Sequence, residues 1–182
     1  MENTSRDLMR EHESILIALD VIERMNERIL NGDSEGLKDI KEIIDFLKLF
    51  ADKCHHGKEE LYLFPALEEA GIKNQGGPIG VMLEQHRQGR DYIKQMENSF
   101  SASGINRIAF TRAASSYVTL LRNHIEKENA LLFPISDSKL SAFKQQELMR
   151  NFEKLEKEVI GEGIHEELHI LLNRLSEKYI PG

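Results

Sequence analysis

The sequence predicts an all-α protein: an up-down-up-down antiparallel four-helix bundle with additional C-terminal helices. Three observations carry that reading. Leu, Ile, Glu, Lys and Ala dominate a chain of 182 residues that holds no Trp and only 4 Pro, a composition suited to long helices. Apolar residues recur at steps of three and four along most of its length. The segments between these stretches are short, which favours antiparallel neighbours. With 40% hydrophobic residues, a chain of this length is expected to form one domain, residues 1–182, with a bundle over about 5–135 and a C-terminal helical appendage over about 138–180.

The first helix is expected from about Ser5 to Leu30, with Leu8, His12, Ile15, Leu19, Ile22 and Ile29 on its inner face. Asn31, Gly32, Asp33 and Ser34 then supply a turn and a capping residue. A second helix starts near Glu35, carries Ile40, Ile44, Leu47, Ala51, His55 and Glu59 on one stripe, and ends after Pro65, near Ala70. Gly71 to Gly77 is the loosest loop, and Pro78 follows at a position where a helix can begin without losing a hydrogen bond. The third helix runs to about Phe100, with Ile79, Leu83, His86, Ile93 and Phe100 inward. After a loop from Ser101 to Asn106, the fourth presents Phe110, Ala114, Tyr117, Leu121, His124 and Glu128, and Pro134 is expected to close it. Ser141 to Glu158 and Ile164 to Tyr179, separated by Gly161 and Gly163, read as two further helices on the outside of the bundle. The charged run Glu153 to Glu158 reads as a solvated face.

The formal net charge of −7 and the lack of a clustered Lys/Arg stripe argue against nucleic acid as a partner. Met1 to Arg10 is polar, and no run approaches the roughly 18 apolar residues of a membrane span. No membrane partner and a cytoplasmic location are therefore expected. The single cysteine, Cys54, can form no internal disulfide and fits a reducing compartment.

Two segments resemble each other. Cys54 to Pro65 and Asn123 to Pro134 both read H-x-x-K-E-x-x-x-L-F-P. In each, His-x-x-x-Glu places a histidine and a carboxylate one turn apart on one helix face, His55 with Glu59 and His124 with Glu128. His12 and His86 add one inward histidine on each remaining helix. A buried, ionised carboxylate facing an apolar core costs several kcal/mol unless it is paired or bound to a cation. One such histidine alone reads best as a core residue bonded to a backbone carbonyl; four, one per helix and with two glutamates, point to a metal site. The duplicated pair suggests two ions, and mixed nitrogen and oxygen donors suit iron, with manganese or zinc as alternatives. The absence of a cysteine cluster argues against an iron–sulfur centre or a structural zinc site.

Over Ser5 to about Pro134 the sequence resembles the hemerythrin-like family, the cation-binding HHE domain. The resemblance rests on Glu11-His12, on the His55/Glu59 pair, on the segment ending at His86, and on the His124/Glu128 pair. It implies that His12, His55, Glu59, His86, His124 and Glu128 hold two non-haem irons, the glutamates bridging them together with an oxo or hydroxo group. An oxygen-carrying hemerythrin has five histidines, two of them one turn apart on the third helix. Here Met82 and Arg90 flank His86 at that spacing, and neither is a plausible iron ligand. Two histidines per iron would leave each ion one open position, unless His165, His169, Tyr117 or Tyr62 supplies a further ligand. His56 and Glu60, one residue past the preferred ligands and rotated by about 100° on an α-helix, are expected to support the site or face solvent. His165 and His169 are spaced to bind an ion, although an amphipathic packing role through Leu168, Leu171, Leu172 and Leu175 is the simpler expectation. Cys54 reads as a small packed residue.

The expected activity is binding of, or reaction with, a small ligand (oxygen, nitric oxide or peroxide) by a sensor, scavenger or detoxifying protein. An iron sensing, storage or donation role, in which metal occupancy controls folding or partner contact, is the alternative. A bundle in which the metal is merely structural is a third.

Overall fold

The computed structural model describes residues 3–32, 36–101, 104–161 and 163–180. It is built from six helices, α1 (Thr4–Leu30), α2 (residues 37–69), α3 (Pro78–Asn98), α4 (residues 107–139), α5 (Ala142–Val159) and α6 (Ile164–Tyr179). A two-residue antiparallel ribbon, β1 (Phe100–Ser101) with β2 (Gly104–Ile105), stands where a plain loop was expected. The expected turn and cap at Asp33 and Ser34, and the helix start near Glu35, lie outside the described residues.

Local chemistry sets the helix starts. Asn3, Asn106 and Ser141 each accept a hydrogen bond from the backbone N–H three residues on, capping α1, α4 and α5. Pro78 opens α3, where its missing N–H costs nothing. Gly77 and Gly80 lie so close to the carbonyls of Lys73 and Asn74 that a Cβ would collide, which is how the preceding loop folds back onto α3.

Side-chain pairs fix the helix directions. Asn26, late in α1, donates to the Thr111 carbonyl early in α4, while His12, early in α1, meets Glu128 late in α4. Lys48 in α2 pairs with Glu97 near the end of α3, and Glu60 pairs with His86 nearer its start. Neighbouring helices thus run antiparallel around the bundle. The appendage packs on it as expected: Leu148, Phe152 and Leu155 of α5 and Leu168, Leu172 and Leu175 of α6 are buried.

Two helices are not regular. In α2, Leu47–His56 and Glu59–Leu63 are π-helical, and in α4 so is Glu128–Leu132. The Phe64 N–H bonds to the Glu59 carbonyl and the Phe133 N–H to the Glu128 carbonyl, each five residues back. This wide turn precedes Pro65 and Pro134, and it relieves the crowding a proline ring imposes on the carbonyl of the preceding turn. Pro134 accordingly does not close α4. The helix passes through it and ends at Lys139, five residues beyond the expected stop.

The core forms two apolar clusters. The larger includes Ile15, Leu19, Phe46, Phe50, Tyr117 and Leu121; the smaller includes Leu8, Phe64, Leu67, Met82, Phe133 and Phe152. His12 lies between Leu8 and Ile15, so a polar layer separates the clusters.

Candidate metal centre

Four helices each deliver donors to that layer: α1 His12; α2 His55, His56 and Glu59; α3 His86; α4 His124 and Glu128. None of these side chains is more than 4% exposed. They fall into two groups whose ligand atoms lie close enough to hold one ion each, His56, Glu59, His86 and His124, and His12, His55, Glu59 and Glu128.

The separations suit shared ions. Donors about 2.1 Å from one ion stand roughly 3.0–3.4 Å apart in octahedral or tetrahedral arrangement. His12 Nε2 and His124 Nε2 each lie 3.2 Å from Glu128 Oε2, His86 Nε2 lies 3.4 Å from Glu59 Oε2, and the Nε2 atoms of His86 and His124 are 3.1 Å apart. His55 Nε2 is looser, 3.9 Å from Glu59 Oε2. Glu128 touches a histidine of each group, and Glu59 belongs to both, so both carboxylates stand between the two positions.

Hydrogen bonding around the layer leaves most of its inner atoms without partners. The Nδ1 atoms of His12, His55, His86 and His124 meet Asn129 Oδ1 at 2.8 Å, Glu11 Oε2 at 2.8 Å, Glu60 Oε1 at 2.7 Å and Gln85 Oε1 at 3.1 Å. Asp52 Oδ1 is 3.5 Å from His56 Nδ1, but neither nitrogen of His56 makes a hydrogen bond. An oxygen acceptor holds the proton on Nδ1 and turns the Nε2 lone pair inward, the arrangement that orients imidazole ligands on metals. By contrast, Nε2 of His12, His55 and His56 and both oxygens of Glu59 and Glu128 are buried without a hydrogen bond. So many orphaned acceptors in one place are costly unless a cation neutralises them, and the residues present fit a pair of metal ions.

The electrostatics agree. Burial, reinforced by the neighbouring Glu128, pushes the Glu59 carboxyl well above its ordinary range. Burial also disfavours ionised Glu128, but His124 and His12 outweigh it and draw that carboxyl well down. Burial and the facing His86 bring His56 down to about 3, and burial with His12 lowers His55 well below its usual value, so both imidazoles are neutral and able to bind metal.

The two halves of the sequence repeat correspond in part. Glu60 and Asn129, each one residue past its inward glutamate, hold the lone histidines of α3 and α1 through Nδ1. Glu60 therefore has the supporting role expected of it. His56 does not: instead of facing away, it is 4% exposed and converges with His86, His124 and Glu59. The π-helical run to which it belongs winds less tightly than an α-helix, so two adjacent histidines share the inner face. The His55-His56 doublet and the Pro65 that follows it in the same helix were the available signals. The matching position in the other half is the buried Ile125.

The lysines of the repeat differ too. Lys58 is buried, with its Nζ 2.6 Å from Glu11, 3.0 Å from Asp7 and 3.4 Å from Glu156, whereas Lys127 is exposed. Lys58 thereby ties α5 to Glu11, whose other oxygen holds His55. Burial brings the Glu11 carboxyl up to about 7. Cys54 is fully buried and burial pushes its thiol up to about 12, as befits a packed residue. Of the residues considered as extra ligands, Tyr117 is buried and lines a cavity of about 290 Å³ together with His56, Gly89 and Arg90. Tyr62 packs near Phe152, and His165 and His169 lie against Phe50; neither of these two histidines falls in either donor group.

A four-helix bundle with two carboxylates set between two groups of inward histidines defines a class of cation-binding helical protein, and the sequence places the chain within it. Residues 3–136 match the hemerythrin HHE cation binding domain, and the chain belongs to that family. It is also similar to the uncharacterized proteins Rv1995 and MT2051 of Mycobacterium tuberculosis and Mb2018 of Mycobacterium bovis, each 27% identical over 162 residues. Those alignments take in 86% of this chain and 62% of each relative, so the chain spans less than two thirds of their length. No solved structure matches.

Proposed function

We propose that the protein is a hemerythrin-like non-haem di-iron protein that binds or reacts with oxygen, nitric oxide or peroxide as a sensor, scavenger or detoxifying protein. Its ligands are His12, His55, Glu59, His86, His124 and Glu128, with His56 as the fifth histidine. The unequal division of histidines over two shared carboxylates, three on one side and two on the other, carries the reading. His56, His86 and His124 would supply one iron with three imidazoles and His12 and His55 the other with two, so that only the second would keep a position open to a small ligand, in place of the two that an equal division would leave. Manganese or zinc would fit the same donors less specifically.

Iron supplies the redox chemistry when bound. The chain contributes five imidazoles, four of them oriented through a hydrogen bond at Nδ1, two carboxylates between the two donor groups, and apolar clusters above and below that exclude water. No described helix is long and apolar enough to cross a membrane. A single, buried cysteine fits a reducing compartment such as the cytoplasm, and the net charge of −7 favours a small molecule over nucleic acid as the ligand.

The test is to load the purified protein with iron, reduce it without air, and record absorption spectra before and after admitting oxygen, with metal content measured on the same sample. About two irons per chain are expected. A reversible oxygen-dependent band supports binding; irreversible oxidation supports peroxide or nitric oxide chemistry. Undiminished iron in His55→Ala and His124→Ala would remove the assignment. A second reading, iron sensing, is favoured by the buried Lys58, which joins α5 to the residue holding His55. It requires that iron removal change the protease sensitivity of residues after 140.

A further inference from the structure

Arg90 stands one turn past His86 on α3 and is no iron ligand, yet it reaches the centre through two other side chains. From its contacts we infer that Arg90 is a positioning residue: one guanidinium fastens Asp52 and Glu60, the two α2 carboxylates that face Nδ1 of His56 and of His86. Its Nε donates to Asp52 Oδ1 at 2.7 Å, and a terminal nitrogen donates to Glu60 Oε1, also at 2.7 Å. The same Glu60 oxygen meets His86 Nδ1 at 2.7 Å, and Asp52 Oδ1 stands 3.5 Å from His56 Nδ1. Hydrogen bonds this short between ionised partners are of the strong kind, and a guanidinium presents its donors in a fixed fork.

These contacts tie part of the three-histidine side into one body. Asp52, His56 and Glu60 follow one another at steps of four along α2, while His86 and Arg90 keep the same step on α3. The rings of His56 and His86 are stacked, with centroids 3.8 Å apart and planes inclined by 17°, so a shift of one imidazole displaces the other. Asp52 and Glu60 are themselves 29% and 26% exposed and, left alone, would be free to turn towards water. Held by Arg90, Glu60 keeps the His86 ring aimed, the part that an outer carboxylate plays for a metal-bound imidazole. His12, His55 and His124 are held by Asn129, Glu11 and Gln85 instead. Arg90 is itself 43% exposed, and ion pairs of that kind contribute little to folding, so the loss of its fork should be felt in orientation before stability.

The inference rests on the metal-binding reading proposed above, and the experiment tells the two apart. The parent is compared with Arg90→Met, which keeps an unbranched apolar stem, and with Arg87→Met. Arg87 is the control: it forks between Glu84 and Asp91 on α3 itself, a pair that holds no ligand histidine. In the metal-free proteins, the proton on His86 Nδ1 is followed by nitrogen-15 NMR. Its exchange with water should be about tenfold faster in Arg90→Met than in the parent or Arg87→Met. The iron-loaded proteins are then given a ferrous chelator. Arg90→Met should release one of its two irons about 10–100-fold faster than the parent, and Arg87→Met should follow the parent; circular dichroism checks the fold of both variants. A His86 ring proton that exchanges equally in all three, or iron release that Arg90→Met leaves unchanged, would overturn the inference. Failure of all three proteins to bind iron would remove the proposed function instead, and the ring-proton comparison would still decide the role of Arg90.

Discussion

Four of the five inward imidazoles have Nδ1 hydrogen-bonded to an oxygen on another residue, and that shared habit explains why the surrounding polar residues are what they are. Glu11, Glu60, Gln85 and Asn129 touch no proposed ion, yet they aim the nitrogens that do. His56 is where residue-level inference from the sequence ran out. The inward placement of His12, His55, His86 and His124 follows from α-helical periodicity, but the same periodicity applied to His56 rotates it out of the site. His56→Ala should remove one nitrogen donor from the three-histidine side and lower iron content from about two per chain towards one, checked by metal analysis after desalting. Lys58 is likewise invisible as a buried residue, because the repeat pairs it with the exposed Lys127. Lys58→Ala leaves Glu11 buried beside Asp7 and Glu156 without its cation. It should cost about 3 kcal/mol in urea unfolding of the metal-free protein, and Lys127→Ala should cost almost nothing.

Among the elements, the helix count and the starts of α1, α3, α5 and α6 were legible, because capping residues, Pro78 and apolar periodicity act locally. The expectation that Pro134 ends α4 failed for a physical reason: proline breaks a helix by crowding the preceding turn, and the wide turn at Glu128–Leu132 relieves that crowding. The attachment of α6 depends on contacts far apart in sequence. Asp39 of α2 accepts hydrogen bonds from Arg174, Lys178 and Tyr179. Burial raises its carboxyl, but these three donors outweigh it and bring it down to about 2. A carboxyl depressed in the folded state contributes stability that is complete above its unfolded value, near 3.9, and is lost as pH falls towards 2. With allowance for solvent screening, about 1–2 kcal/mol is at stake. Asp39→Asn should therefore be less stable than the parent by that amount at pH 7, and the gap should close between pH 4 and 2 in denaturant titrations.

Taken whole, the molecule needs its appendage. Leu148, Phe152, Leu155, Leu168, Leu172 and Leu175 are all buried, and at about 1.5–3 kcal/mol each their gross contribution is on the order of 10 kcal/mol, comparable with the net stability of an ordinary domain. Truncation after Leu140 should abolish cooperative thermal unfolding followed by circular dichroism, although the match to the family ends at residue 136. The sequence showed these helices as amphipathic; it could not show that α5 also supplies Glu156 to Lys58, a contact across 98 positions.

The repeated segments of α2 and α4 give the centre two matching halves in sequence, with Glu59 answering Glu128 and Glu60 answering Asn129. That correspondence fails on the inner face where His56 answers Ile125, and outside it where the buried Lys58 answers the exposed Lys127. On the proposed reading, a pair of ions held by equal sets of histidines would be treated alike, whereas His56 would set one of the two apart from the other. Ile125→His, which restores the match on the inner face, should leave two irons bound but slow or abolish their spectral response to azide, nitric oxide or oxygen. If the response persists at the parent rate, the open position does not lie beside Ile125.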